Sequence, residues 1–209
     1  MKKMIIILNI TIVIVILYLL NVIPHIGFSN EFFHIESYKS SYDKDNDGID
    51  DQTDILNSAR KYIETKPKYN SKYYEGGYPD DEYGTCTDVI AFALKGAGYD
   101  LMNLVNDDII NNRDKYNIDI LDKNIDFRRV NNLNIYFHNN AINLTTDLKD
   151  YKAWQGGDIV VFNTHIAVVS DKRNYKKIPF IIHHSNIKQL WYEEDAMERY
   201  KIIGHYRIS

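Results

Sequence analysis

The 209-residue sequence has a single cysteine, Cys86, so no disulfide can form within the chain. It has no basic stripe. Its 25 Lys and Arg are scattered among 29 Asp and Glu, and the net charge of −4 is mild. This gives no support to a nucleic-acid partner. No internal repeat is present, and no low-complexity segment apart from one acidic loop. No Lys or Arg occurs between Lys3 and Lys39, and no Ala-x-Ala cleavage signal follows the N-terminal apolar run.

That run, Met4 to Ile23, is interrupted only by two Asn and one Thr, and Lys2 and Lys3 precede it. Its length and flanks predict one N-terminal transmembrane helix. The protein is then a single-pass membrane protein whose C-terminal domain lies outside the cytoplasm, with the membrane itself as a partner. A cleaved signal peptide, giving a secreted protein, is the competing reading. The predicted division is an anchor or signal segment over 1–23, a linker over 24–42, an acidic loop over 43–54 and one domain over 55–209. About 180 residues beyond the anchor suffice for one domain with a real core. The 17 tyrosines fit a binding surface or cleft.

The acidic loop reads Asp43-Lys44-Asp45-Asn46-Asp47-Gly48-Ile49, with Asp54 at the twelfth position. It matches the front of a calcium loop, which converges several carboxylates on a hard cation and uses a glycine for the sharp turn. The predicted ligands are Asp43, Asp45, Asp47, Ile49 and Asp54, for calcium in a structural role. An Asp where a Glu is usual has a shorter arm and weakens bidentate ligation. A solvated acidic linker is the alternative.

Apolar spacing predicts helices over 55–64, capped by Thr53 or Asp54, over 86–97, over 101–112 and over 133–140. A long Tyr-, Gly- and Asp-rich loop covers 66–84, and 117–131 is polar loop. After Trp154 the texture changes to short β-branched runs at 158–162, 166–169, 178–182 and 202–208, separated by turns. Helices followed by strands predict an α+β fold with helices packed on an antiparallel sheet.

Cys86 opens the second of these helices, where the positive end of the helix dipole favours thiolate. A cysteine nucleophile needs a base and a group that orients the base. Of seven histidines, His165 opens a strand, and His183 and His184 end the next one. Adjacent strand residues face opposite ways, so one of that pair can face His165. A small buried structural thiol is the plainer reading of Cys86.

Cys at a helix start, His at a strand start and a polar residue on the following strand is the order of papain-like cell-wall peptidases of the NlpC type. Trp154 to Phe162 followed by His165 to Val169 resembles that family's Gly-Asp and His strand block, and Phe180 to His183 resembles its next strand. The resemblance implies Cys86 as nucleophile, His165 as base and His183 as orienter, with His184 or Asn186 as substitutes. It also implies a papain-like fold, no cofactor for catalysis and peptidoglycan stem peptide as substrate. Tyr73, three residues before Gly76-Gly77, is a candidate second oxyanion donor beside the Cys86 N–H. Thr85-Cys86-Thr87 departs from the family's usual Asp-Cys-Ser.

A longer resemblance runs from Asp43 to Tyr206, to the bacterial family catalogued as domain of unknown function 1287. Gly76 to Pro79, Cys86 to Val89, Asn124 to Val130 and Gly204 to Arg207 carry it. The expected activity is thiol-mediated amide hydrolysis outside the cytoplasm. A non-catalytic cell-wall or partner-binding module, or an acyltransferase using the same Cys–His pair, stands as the alternative. A zinc set of Cys86, His165 and His183 is a further rival. Asp126, Arg128 and Arg129 form a polar cluster, read as a buried Asp–Arg pair or as a substrate-carboxylate fork. Oligomeric state is left open.

Overall fold

The computed structural model describes residues 2–20 and 22–208; Met1 and Asn21, in the predicted anchor, and Ser209, at the end of the predicted domain, lie outside the described residues. Helix α1 covers Lys2–Leu19, 18 residues. At 1.5 Å per residue it is about 27 Å long, short of the roughly 30 Å hydrocarbon core. Two of its residues are Lys2 and Lys3, and Asn9 and Thr11 lie within it. No helix among the described residues is long and apolar enough to cross a membrane. This corrects the expectation of a transmembrane helix, and with it the single-pass membrane location.

Residues 24–42 lack regular periodicity but lie on the domain: Phe28 bridges to Arg173, and Asn30 accepts from Arg173 Nε at 2.5 Å. Helix α2 runs Asp51–Glu64 and starts inside the acidic loop. Its cap is Asp50, whose carboxylate accepts from the Thr53 N–H at 3.2 Å, rather than Thr53 or Asp54. A two-residue parallel pair, β1 (Lys68–Tyr69) and β2 (Tyr83–Gly84), brackets the long loop. Then come α3 (Cys86–Gly96) and α4 (Leu101–Asn111), close to their expected bounds. A short helix α5 (Lys123–Asp126) interrupts the expected polar loop, and α6 spans Val130–Asn140.

The strands β3 (Ile142–Asn143), β4 (Ile159–Phe162), β5 (Ile166–Arg173), β6 (Pro179–Ile182), β7 (Glu193–Glu194) and β8 (Ile202–Arg207) form one sheet ordered β3-β8-β4-β5-β6-β7. Every pairing in it is antiparallel, so the fold is α+β. Alternation sends Ile159, Val161, Ile166, Val168 and Ile182 into the core shared with α2 and α3. Val160, Phe162, Ala167, Val169 and Ile181 pack on the other face against Trp154, Ala196 and Met197. Because both faces are covered, the strands read as continuous apolar runs.

Two buried carboxylates tie these layers together. Asp158 accepts from Gln52 of α2 at 2.9 Å, from His205 of β8 at 2.9 Å and from Arg207 at 2.7 and 2.8 Å. Trp154 stacks on His205 with centroids 3.7 Å apart. Asp88, in the first turn of α3, takes both arms of Arg128 at 2.6 and 2.9 Å. Within the expected cluster the buried pair is Arg128 with Asp88, and Asp126 lies 3.7 Å from the exposed Arg129. Arg128 also donates to the Lys72 carbonyl at 2.6 Å, fixing the long loop. The paired side chains are 2% and 0% exposed, so removing one partner strands a buried charge. Arg128→Ala is expected to cost about 3–5 kcal/mol in urea unfolding; a loss below about 1 kcal/mol would show that the pair does not hold α3.

Candidate functional site

Cys86 is the first residue of α3, after Thr85 in extended conformation. Asp88 locks this start by accepting from the Thr85 N–H at 2.7 Å and from Thr85 Oγ1 at 3.0 Å. Gly84, just upstream, leaves room for the Tyr62 phenol, since a Cβ there would lie 2.1 Å from Tyr62 Oη. The β1–β2 register sets Tyr69 beside Gly84, and so beside the cysteine. Cys86 as a residue keeps intermediate exposure, although its sulfur is turned inward far enough for burial to dominate its charge state.

The tight turn between β4 and β5 is closed by the Phe162 N–H donating to the His165 carbonyl at 2.8 Å. It delivers His165 to the strand start. The backbone N–H of the next residue, Ile166, faces the Cys86 sulfur together with the N–H groups of Thr87 and Cys86 itself. These donors favour negative charge on sulfur, and the first-turn N–H groups have no intrahelical acceptor.

Val168 pairs with Ile182 and Val169 with Ile181. Continuing that register sets His183 on the face of Ala167, Val169 and His165, and sends His184 to the opposite face. His165 Nε2 lies 2.7 Å from His183 Nδ1, and His183 Nε2 lies 3.0 Å from Glu194 Oε1. Glu194 also accepts from Arg199 at 2.8 Å through its other oxygen. An ionised carboxylate is acceptor-only. His183 therefore donates from Nε2 to Glu194 and accepts at Nδ1 from His165 Nε2–H. This fixes His165 as the tautomer with a bare Nδ1, the lone pair a base needs.

Burial pushes the Cys86 thiol up to about 11, aided by Asp88 and opposed by the backbone N–H groups. Burial, with His183 and His184 nearby, takes the His165 imidazolium down to about 3. The pull of the helix dipole toward thiolate is thus opposed by desolvation, which favours the thiol and the neutral imidazole. Burial also lowers His183, against the pull of Glu194. Burial alone would raise Glu194, but His183 and Arg199 hold it below the ordinary carboxylate range.

Among the expected residues, His165 and His183 meet on the sheet face of Ala167 and Val169, while Cys86 packs with α3 on the opposite face, the one to which the register sends His184. Tyr73 is remote from both: it points to Asp122 and accepts from Asn124 at 3.2 Å. Tyr69 stands near the sulfur instead, its phenol raised by burial and by the Cys86 charge. His184, 2% exposed, packs edge-on against Tyr69 and has a buried Nδ1 without a partner. The zinc set is not assembled, because the facing nitrogens of His165 and His183 are spent on each other. The group of carboxylate, imidazole or thiol ligands found among the described residues is Asp43, Asp45 and Asp47, within 4.8 Å of one another. Ile49 donates its N–H to Asp47 at 2.8 Å, which leaves its carbonyl available, and Asp54 lies at the start of α2. Glu194 and Tyr69 were not singled out in the sequence. The adjacent acids Glu193-Glu194 are the signal for the first: on a strand they face opposite ways, Glu193 to Arg60 at 2.7 Å and Glu194 to His183. Alkylation of Cys86 by iodoacetamide is expected to rise with pH toward a midpoint well above the 8.5 or so of an ordinary thiol. A midpoint below 7 would show that the N–H cluster outweighs burial.

No solved structure matches this chain. The protein of Escherichia coli (strain K12) described as uncharacterized protein YijF is 35% identical to it over 166 residues, covering 73% of this chain and 80% of that protein. Residues 56–208, which hold Cys86, His165, His183 and Glu194, match one family along their whole length. The chain belongs to that family, described as domain of unknown function (DUF1287).

Proposed function

We propose that this protein is a cysteine-dependent amide hydrolase of the papain-like, NlpC type, with peptidoglycan stem peptide as its substrate class. The observation that carries the reading is the His165–His183–Glu194 chain, set at the strand start whose next N–H faces the Cys86 sulfur.

In the proposed reaction Cys86 Sγ attacks the amide carbon while its proton passes to His165 Nδ1. Because the resting pair is neutral, proton transfer and attack are coupled, and His165 acts as a general base rather than as the partner of a preformed thiolate. The imidazolium so formed is supported through His183 by the Glu194 carboxylate. The Cys86 N–H, with the Tyr69 hydroxyl as the second candidate, takes the charge on the carbonyl oxygen. His165 returns the proton to the leaving amine. Water, deprotonated by the same imidazole, then cleaves the thioester, freeing the acid and restoring the thiol. An amine in place of water would make the same residues an acyltransferase.

The substrate class rests on the resemblance of the Trp154 to Val169 block to NlpC-type peptidases, which is an argument from fold. A groove of about 520 Å³ adjoins the His165 turn through Asn163 and Thr164 and carries Lys115 and Arg129. Its two cations suit a peptide with free carboxylates.

The test is digestion of purified muropeptides, with new amines and acids read by mass spectrometry. The wild-type chain is expected to cleave, and Cys86→Ala to abolish cleavage. Glu194→Gln should lower kcat roughly tenfold or more with little change in KM, as expected for a residue that acts through the imidazolium. Cleavage that survives Cys86→Ala would overturn the thiol mechanism. Tight muropeptide binding with no turnover by the wild-type chain would favour a binding module on the same fold.

A further inference from the structure

The acidic loop has an observation behind it beyond its carboxylate count. Asp54, in the first turn of α2, is 6% exposed, and its Oδ2 is buried with no hydrogen-bond partner. A buried carboxylate oxygen left unsatisfied is costly and calls for an explanation. Asp54 lines a cavity of about 640 Å³ together with Asp47. The charges that act on it most, after burial, are those of Asp47, Asp45, Asp43 and Asp50, all of its own sign. A cation held by the three gathered aspartates would satisfy this oxygen and relieve the repulsion among the four carboxylates.

The loop backbone is already turned for such a guest. Gly48 has φ +93 and Asn46 φ 62, and N–H groups at Asp47, Gly48 and Ile49 donate to Asp43, Asp45 and Asp47. Asp51, which is fully buried, accepts from the Lys44 N–H at 2.7 Å and from the Tyr99 hydroxyl. The loop also abuts the turn after α3, where a Cβ on Gly98 would lie 3.0 Å from Asp45 Cβ. The loop is therefore built onto the domain.

We infer that Asp43, Asp45, Asp47, the Ile49 carbonyl and Asp54 form a calcium site that clamps the loop to α2. Calcium accepts six to eight oxygens in flexible geometry, with water completing the shell, whereas magnesium demands a near-ideal octahedron. The short Asp54 arm supplies one oxygen where a glutamate would supply two. The site is independent of the catalytic reading, since it shares no residue with it.

The experiment is equilibrium dialysis of the metal-stripped full chain with labelled calcium, paired with thermal unfolding in calcium, magnesium or chelator. One calcium per chain with a Kd below about 1 mM is expected, with Tm raised by roughly 5 °C at saturation and little change in magnesium. Asp45→Asn, an exposed change that spares the fold, should abolish binding. Asp54→Asn should raise the chelator Tm by removing the stranded charge, while weakening calcium binding at least tenfold. Absence of binding at millimolar calcium, or binding unaltered by Asp45→Asn, would overturn the site. An equal response to magnesium would overturn its identity as a calcium site.

Discussion

The bidentate contact between Asp88 and Arg128 decides where the sulfur stands. Asp88 is at once the partner of Arg128 and the acceptor for Thr85, so one carboxylate fixes the first turn of α3, the residue before it and the loop at Lys72. An ion pair this deep contributes little net stability by itself, because both charges have left water. Its effect is one of placement: no apolar substitute could hold a helix start, a loop carbonyl and a neighbouring hydroxyl in a single geometry. Asp158 does the same for the sheet, joining α2, β4 and β8 through Gln52, His205 and Arg207.

Around these two anchors the site is assembled from the sheet end inward. The turn before β5 supplies His165, β6 supplies His183, and the edge strand β7 supplies Glu194. Each passes its hydrogen bond outward, from the His165 imidazole to a carboxylate held by Arg199. The chain of acceptors removes ambiguity about proton position, since only the last member is charged. The same enclosure that orders the imidazoles keeps them neutral.

The parts of this arrangement legible in the sequence are those governed by period and by local chemistry. Short β-branched runs announce β4, β5, β6 and β8, and apolar spacing from Cys86 onward announces α3. The choice between His183 and His184 follows from register, which depends on pairing and cannot be read from either strand alone. Glu194 arrives from a two-residue strand with no periodicity to announce it. Tyr73 and Tyr69 look alike in a tyrosine-rich loop; only the parallel pairing of Tyr69 with Gly84 separates them. The helix start that pulls Cys86 toward thiolate is visible in sequence, whereas the crowding that opposes it is not. The apolar N-terminal run was long as a string, but the helix it forms stops at Leu19.

The sheet order also has a consequence for how the chain acquires its site. Strand β8 is the last of the six in chain order, yet it sits between β3 and β4, with Val160 opposite His205 and Ile142 opposite Arg207. Closing these pairings requires long loops to be drawn together before any ladder bond rewards them. Until β8 inserts, β4 has an open edge and Asp158 lacks two of its partners. The sheet that holds His165 at the start of β5 is therefore complete only when the last strand of the chain closes the edge of β4.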